Sequence, residues 1–348
     1  MQSLLRQLTN PAGLLRIYGF SIIATAAVWS VVGIYSGFNA FVSVIILTLL
    51  EITFSFDNAV INSRVLVSLS RFWQQLFLTV GIILAVFVVR FIVPILIVAV
   101  TAGLGFGEVI HLALHEPHKY AEKLHSSAHI IDAFGGTFLL LVGASFFIDA
   151  SKRLHWIKVL ERPLAKAGKL PFVTMAVMIA MTGIVYLLNG SRYSHDERNA
   201  ILIAGIVAIT LHIVMGAFDK ISNGPQGSST KQKVGMAAFI SFMYLQLLDA
   251  SFSLDGVVGA FAITSSVVLI AAGLGAGAVW VRSMTIHMVH SGTLAKYKFL
   301  EHGAHWAIVA LGVIMLTRLY GLELPEWATG SVGLICIAFS IASSIRRR

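Results

Sequence analysis

Stretches of about twenty apolar residues, the length that crosses the hydrocarbon core of a bilayer, recur along the whole chain. They fall at 14–36, 39–62, 76–101, 131–150, 171–190, 200–219, 234–262, 264–289, 304–319 and 328–345. Short polar segments separate them. The pattern predicts an all-α polytopic membrane protein of about ten spans, with the lipid bilayer as its first partner. Placing the N-terminus in the cytoplasm leaves 18 Lys and Arg on inner segments and five on outer ones. The positive-inside rule therefore predicts that both termini are cytoplasmic, in a membrane of the bacterial inner (plasma) type. Reporter fusions after His118 and after Lys158 are expected to give opposite signals, because a single span, 131–150, separates them. Matching signals would overturn the topology.

Two spans break the apolar pattern in the same way. "EITFSFDNAV" at 51–60 returns as "DASFSLDGVV" at 249–258. Phe54, Ser55, Asp57 and Val60 match Phe252, Ser253, Asp255 and Val258, and Glu51 stands opposite Asp249. Further on, "GIILAVFVVR" parallels "GLGAGAVWVR", which aligns Arg90 with Arg282, and "LHSSAH" parallels "LEHGAH". The motif lies on the second span and again on the seventh. An odd separation reverses the direction of crossing, so the sequence predicts an inverted repeat, residues 1–190 against 199–348. Transporters built this way bind substrate near the midplane, at the repeat interface.

Charged side chains at that depth cost roughly 2.5–3.5 kcal/mol each on insertion scales. They are kept where they do something. Polar residues occupy every second position of both motifs, and an ideal helix would set Glu51 and Asp57 about 240° apart. The alternation predicts that each motif helix is locally unwound, which is tolerated only where protein or a cavity surrounds the backbone. Glu51, Asp57, Asp249 and Asp255, with Ser55, Asn58 and Ser253, offer only oxygen ligands. Such a set suits Mg²⁺, Ca²⁺ or Mn²⁺ better than soft metals. Arg90 and Arg282 against four carboxylates leave a formal charge of −2, which a divalent cation neutralises.

Composition narrows the function. The chain is 57% hydrophobic and 12% charged, where soluble domains carry about 25% charged residues. Its net charge of +9 is dispersed among the spans, so nucleic acid is not an expected partner. The single cysteine, Cys336, excludes an internal disulfide, and no small-residue cleavage site marks a signal peptide. No glycine pattern for a nucleotide, nucleophile elbow or zincin motif is present, so neither an enzyme nor a resident cofactor is expected.

Histidines form the other candidate chemistry. His111, His115, His118, Glu122, His125 and His129 step by three and four residues along one helical face of the external segment 102–130. Imidazoles in this array suit transition metals. Pro117 divides the segment into two helices, 107–115 and 118–130. His125 and His129 have repeat counterparts in Glu301 and His305, and these two i, i+4 pairs are possible accessory metal sites. The basic stretch "KRLHWIKVLERPLAKAGK" at 152–169 reads as an interfacial helix with Lys and Arg towards anionic lipid.

Glu51, Ser55, Asp57 and Asn58, followed far downstream by Asp249, Phe252 and Asp255 and then by Arg282 and Ser283, resemble the TerC family of integral membrane proteins. The resemblance covers roughly residues 39–320. It departs at Gly256, where many members have Ser, and in the added histidine segment. The family belongs to the lysine-exporter superfamily, with inverted repeats, and several members export manganese. The resemblance implies a secondary transporter that exports Mn²⁺; with the all-oxygen ligand set, which also suits Ca²⁺, the expected function is export of a divalent cation in exchange for protons. The metal is then substrate rather than cofactor. Rival readings are a metal-dependent membrane enzyme using Glu301 and His305, and a non-transporting membrane scaffold of a stress-response complex.

Overall fold

In the computed structural model of the protein, residues 11–168, 192–223, 232–322 and 324–347 are described, with isolated positions at 176, 180 and 183. Apart from those three positions the expected span 171–190 lies outside the described residues, as does the side chain of Asp255. The rest is helical, and a lone bridge between Leu69 and Lys233 is the only β pairing among the described residues. Seven of the described helices are long and apolar enough to cross a membrane. An all-α polytopic membrane fold results.

α1 (Pro11–Phe54) holds two of the predicted spans. Its apolar stretch of 38 residues would reach about 57 Å if straight, nearly twice the hydrocarbon thickness. It folds back at Gly37, whose φ of 84° and ψ of 178° only glycine adopts without strain. The Trp29 indole N–H reaches Thr48 Oγ1 at 3.4 Å, a contact that requires the two arms to lie side by side. α2 (Phe56–Val67) follows after a single non-helical residue, Ser55. The third span is assembled from α3 (Arg71–Leu78), α4 (Val80–Ile83), a π-helix (Leu84–Ile92) and α5 (Val93–Ala102).

α6 (Phe106–His115) and α7 (Pro117–Ser126) carry the histidine segment and part at Glu116, as Pro117 predicts. α8 (Ala128–Ile148), α9 (Lys158–Ala167) and α10 (His195–Asn223) come next. The chain closes with α11 (Gly235–Ala260), α12 (Val267–Ser291), α13 (Leu300–Arg318) and α14 (Glu326–Arg346).

These helices form two compact units, each built from two separate segments of the chain. The first comprises Met1–Ala128 with Gln226–Lys296, the second His129–Pro225 with Tyr297–Arg348. In the first, α12 packs along the α1 hairpin through small residues. Methyl groups on Gly273 or Gly277 would run into Leu47 and Glu51, so the backbones approach as closely as small-residue interfaces in membranes allow. Polar contacts fix the register: Ser21 and Ser283 hydroxyls lie 2.7 Å apart, and the Trp280 indole donates to Thr25 at 2.9 Å. In the second unit, Gly136 of α8 and Gly312 of α13 face each other, and a methyl group on either would lie 3.1 or 3.0 Å from the other's carbonyl oxygen, closer than ordinary contact. Arg318 and Asp132 add an ion pair at 3.5 Å.

Candidate metal centre

The polar positions of the first motif sit on the second arm of α1 and the start of α2. Glu51, Ser55, Asp57 and Asn58 are all buried. The expected unwinding shrinks here to one residue. Ser55 N–H still donates to the Glu51 carbonyl at 3.0 Å, and Ala59 N–H to the Ser55 carbonyl at 3.1 Å. In the second motif the expectation fails outright, because α11 runs unbroken through Asp249, Ser253 and Asp255. The hydroxyls explain why. Thr53 and Ser251 donate back to the carbonyls of Leu49 and Leu247, at 2.7 and 3.0 Å. Such a run satisfies itself within a helix and needs no extended backbone.

The buried acids are sorted by their partners. Glu51 pairs with Arg90 and accepts the Ser55 hydroxyl at 2.9 Å. Asp249 pairs with Arg282 at 3.3 Å and accepts the Asn58 amide at 2.8 Å. These two ion pairs use positions that align in the repeated sequence, Glu51 with Asp249 and Arg90 with Arg282. Asp57 is different. It is buried, takes the Asn58 backbone N–H at 2.9 Å, and has no cationic partner among the described residues.

Both arginines are held on further sides. Arg90 lies near the end of the π-helix, where its Nη1 donates to the Ala85 carbonyl at 2.7 Å. Single turns of π-helix are rare and cluster at functional sites, and nothing in the apolar sequence of this span signals one. Arg282 donates to the Phe77 carbonyl at 2.9 Å and to Gln246 at 3.4 Å, with its guanidinium over the Phe77 ring. Gln246 went unnoticed in the sequence, although it stands one helical turn before Asp249. Among the described residues, Asn58 Oδ1 and Ser253 Oγ are buried without a hydrogen-bond partner. Both are oxygens with lone pairs to offer.

Among the described residues, no three His, Cys, Asp or Glu side chains converge as ligands of one metal ion. Glu51 and Asp249 are engaged by arginine, and Asp255 lies outside the described side chains. A cation binding here would take Asp57 first. It would reach Glu51 and Asp249 only by displacing their guanidinium partners.

Space around the site is tight. A methyl group on Gly277 would lie 2.6 Å from Cγ of Glu51 and 2.9 Å from the Thr48 carbonyl, which belongs to helix backbone and cannot yield. Gly277→Ala is expected to cost about 1–3 kcal/mol through overpacking and to lower the thermal midpoint. Gly19→Ala, where nothing lies within 4 Å, serves as the control and should not move it. By contrast Gly256 has room, since a methyl there would meet Glu51 Oε2 at 3.9 Å.

The histidines do not gather into one array. His111 and His115 stack with ring centroids 4.3 Å apart, on an exposed face of α6. His118 follows the break at Glu116, on α7. His125 lies edge-on to Phe261 and His129 lies beside Tyr193. His305 stacks on Phe146, with its Nδ1 2.8 Å from the Glu301 carbonyl. A further buried carboxylate, Glu161, is one that its sequence context does not signal. It accepts the Trp306 indole N–H at 3.1 Å and the Trp156 N–H at 2.8 Å, with His302 at 3.5 Å.

The chain belongs to the family described as a protein of unknown function, DUF475, which it matches over residues 56–348. No curated protein and no solved structure matches it.

Proposed function

We propose that the protein is a secondary transporter that exports a divalent cation, Mn²⁺ first, in exchange for protons. The observation that carries this reading is the sorting of the buried acids. Two repeat-related carboxylates are neutralised by two repeat-related arginines, while Asp57 is buried with no cation beside it among the described residues. An isolated buried charge is costly unless paired or bound to metal. Intramembrane ionisable residues mark ion pathways as a rule. The resemblance of both motifs to the TerC family points the same way, as does the opposed direction of the two motif spans expected from the sequence.

In this reading the cation enters on Asp57, with Asn58 Oδ1 and Ser253 Oγ as neutral oxygen ligands. Glu51 and Asp249 then exchange their guanidinium partners for the metal, and Asp255 completes the set. When the metal leaves, Arg90 and Arg282 close back on Glu51 and Asp249. The arginines are thus tethered cations that compensate the site between substrates. Two protons returning per divalent ion would keep the cycle neutral.

The test is flux. Purified protein is reconstituted into liposomes that hold a Mn²⁺-sensitive dye and a pH dye. Mn²⁺ movement with opposite proton movement is expected. Folded protein that moves neither ion would overturn the reading and leave the arginine pairs as structural locks between helices.

A further inference from the structure

Among the described residues, the side of α9 that carries Glu161 and Ala165 binds it to the second unit. Glu161, 1% exposed, accepts the N–H groups of Trp156 and Ile157 at 2.8 and 3.3 Å and the Trp306 indole at 3.1 Å. His302 Nε2 donates to the Leu154 carbonyl at 2.9 Å. Ala165, one turn after Glu161, is buried beside it. At the far end Gly168 abuts α8 so closely that a methyl group would lie 2.8 Å from the Ile148 carbonyl carbon. The helix is pinned at both ends.

Those pins fix its depth. α8 has 21 residues, about 31 Å of rise, so Ile148 stands at the edge of the hydrocarbon. His302 and Trp306 lie in the first two turns of α13. α9 therefore lies along the rim of the second unit, where spans end.

Its other sides are open. Lys158, Arg162 and Lys166, at i, i+4 and i+8, form one exposed basic ridge, and none pairs with a carboxylate among the described residues. Val159 is 82% exposed and Leu160 50%. Leu164, 36% exposed, continues that apolar sector one turn after Leu160 and borders the buried side of Glu161.

We propose that this outward face of α9 is a docking site for anionic lipid headgroups. Lys158, Arg162 and Lys166 take the phosphates, while Val159, Leu160 and Leu164 sink into the acyl border beneath them. An amphipathic helix with basic and apolar sectors at interfacial depth is built for that surface. A second copy of the chain is a poorer occupant. One face of a three-turn helix falls well short of the roughly 800 Å² per partner of a stable interface. Through Glu161 and Trp306 the site is tied to the start of α13, so lipid charge at the rim is felt by a membrane-spanning helix.

The experiment uses the full chain with Cys336→Ser and Val159→Cys, labelled at position 159 with an environment-sensitive fluorophore, in nanodiscs. Brominated phosphatidylglycerol and brominated phosphatidylcholine are compared as quenchers. The anionic lipid is expected to quench more strongly. Each of K158Q, R162Q and K166Q should lower that preference about fivefold, the factor equivalent to about 1 kcal/mol per basic residue. Added salt should lower it in the parent without any substitution. Equal quenching by the two lipids would overturn headgroup recognition. Absence of quenching by either would place the face away from lipid, and cross-linking between copies through that position would assign it to a dimer instead.

Discussion

Asp57→Asn is expected to leave the protein in the membrane at the parent's level while abolishing Mn²⁺ efflux. The substitution keeps the volume of the side chain and breaks no ion pair, since no cation faces Asp57 among the described residues. Its one described hydrogen bond, from the Asn58 N–H, survives on the amide oxygen. Folding therefore has little reason to change. A hard cation, in contrast, loses the one anionic ligand among the described residues that is not already neutralised by arginine. Even a tenfold loss of binding requires only about 1.4 kcal/mol, and replacing a carboxylate by an amide exceeds that for a divalent ion held by oxygens. Intracellular Mn measured beside membrane abundance reads both quantities. Normal abundance with normal efflux would remove Asp57 from the site. Asp255→Asn, its counterpart in the repeated motif, is expected to behave alike.

Much of this was legible in the chain because burial in a bilayer writes itself in long apolar runs, and because charges inside such runs have few innocent explanations. The repeated acids and the aligned arginines stood out as charges at membrane depth, but which acid meets which arginine depends on tertiary packing and was not legible. The break between α6 and α7 followed from Pro117, a local steric effect. Local appearance misled at the motifs. Alternating Ser and Thr resemble extended chain, but each hydroxyl can close on the carbonyl one turn back, as Thr53 and Ser251 do, and a helix results. The π-helix that carries Arg90 left no mark, because its hydrogen-bond register depends on tertiary packing and its other residues are all apolar. Glu161 was hidden for another reason. It stands in a stretch rich in Lys and Arg, which reads as a solvated face, whereas its partner Trp306 is 145 residues away.

The largest effect on stability is expected at the other acid of the first motif. Glu51→Gln leaves the Arg90 guanidinium buried, 2% exposed, with its countercharge gone. Removing one member of a buried pair costs about 3–5 kcal/mol, a large share of the roughly 5–15 kcal/mol that holds a typical protein folded. Membrane abundance and the thermal midpoint should both fall sharply, and Arg90→Gln alone should do the same by stranding Glu51. Replacing both members of such a pair is often close to neutral, so Glu51→Gln with Arg90→Gln is expected to recover abundance and most of the midpoint. The recovered double variant separates structure from transport. If the pair served only to lock helices, its Mn²⁺ flux would match the parent's. If Arg90 yields Glu51 to the metal, flux stays low in a protein that is present and folded, because the ligand and its tethered cation are both missing. Glu51→Gln at parental abundance and midpoint would show that Arg90 is compensated elsewhere, and the exchange of guanidinium for metal at Glu51 would then have no basis.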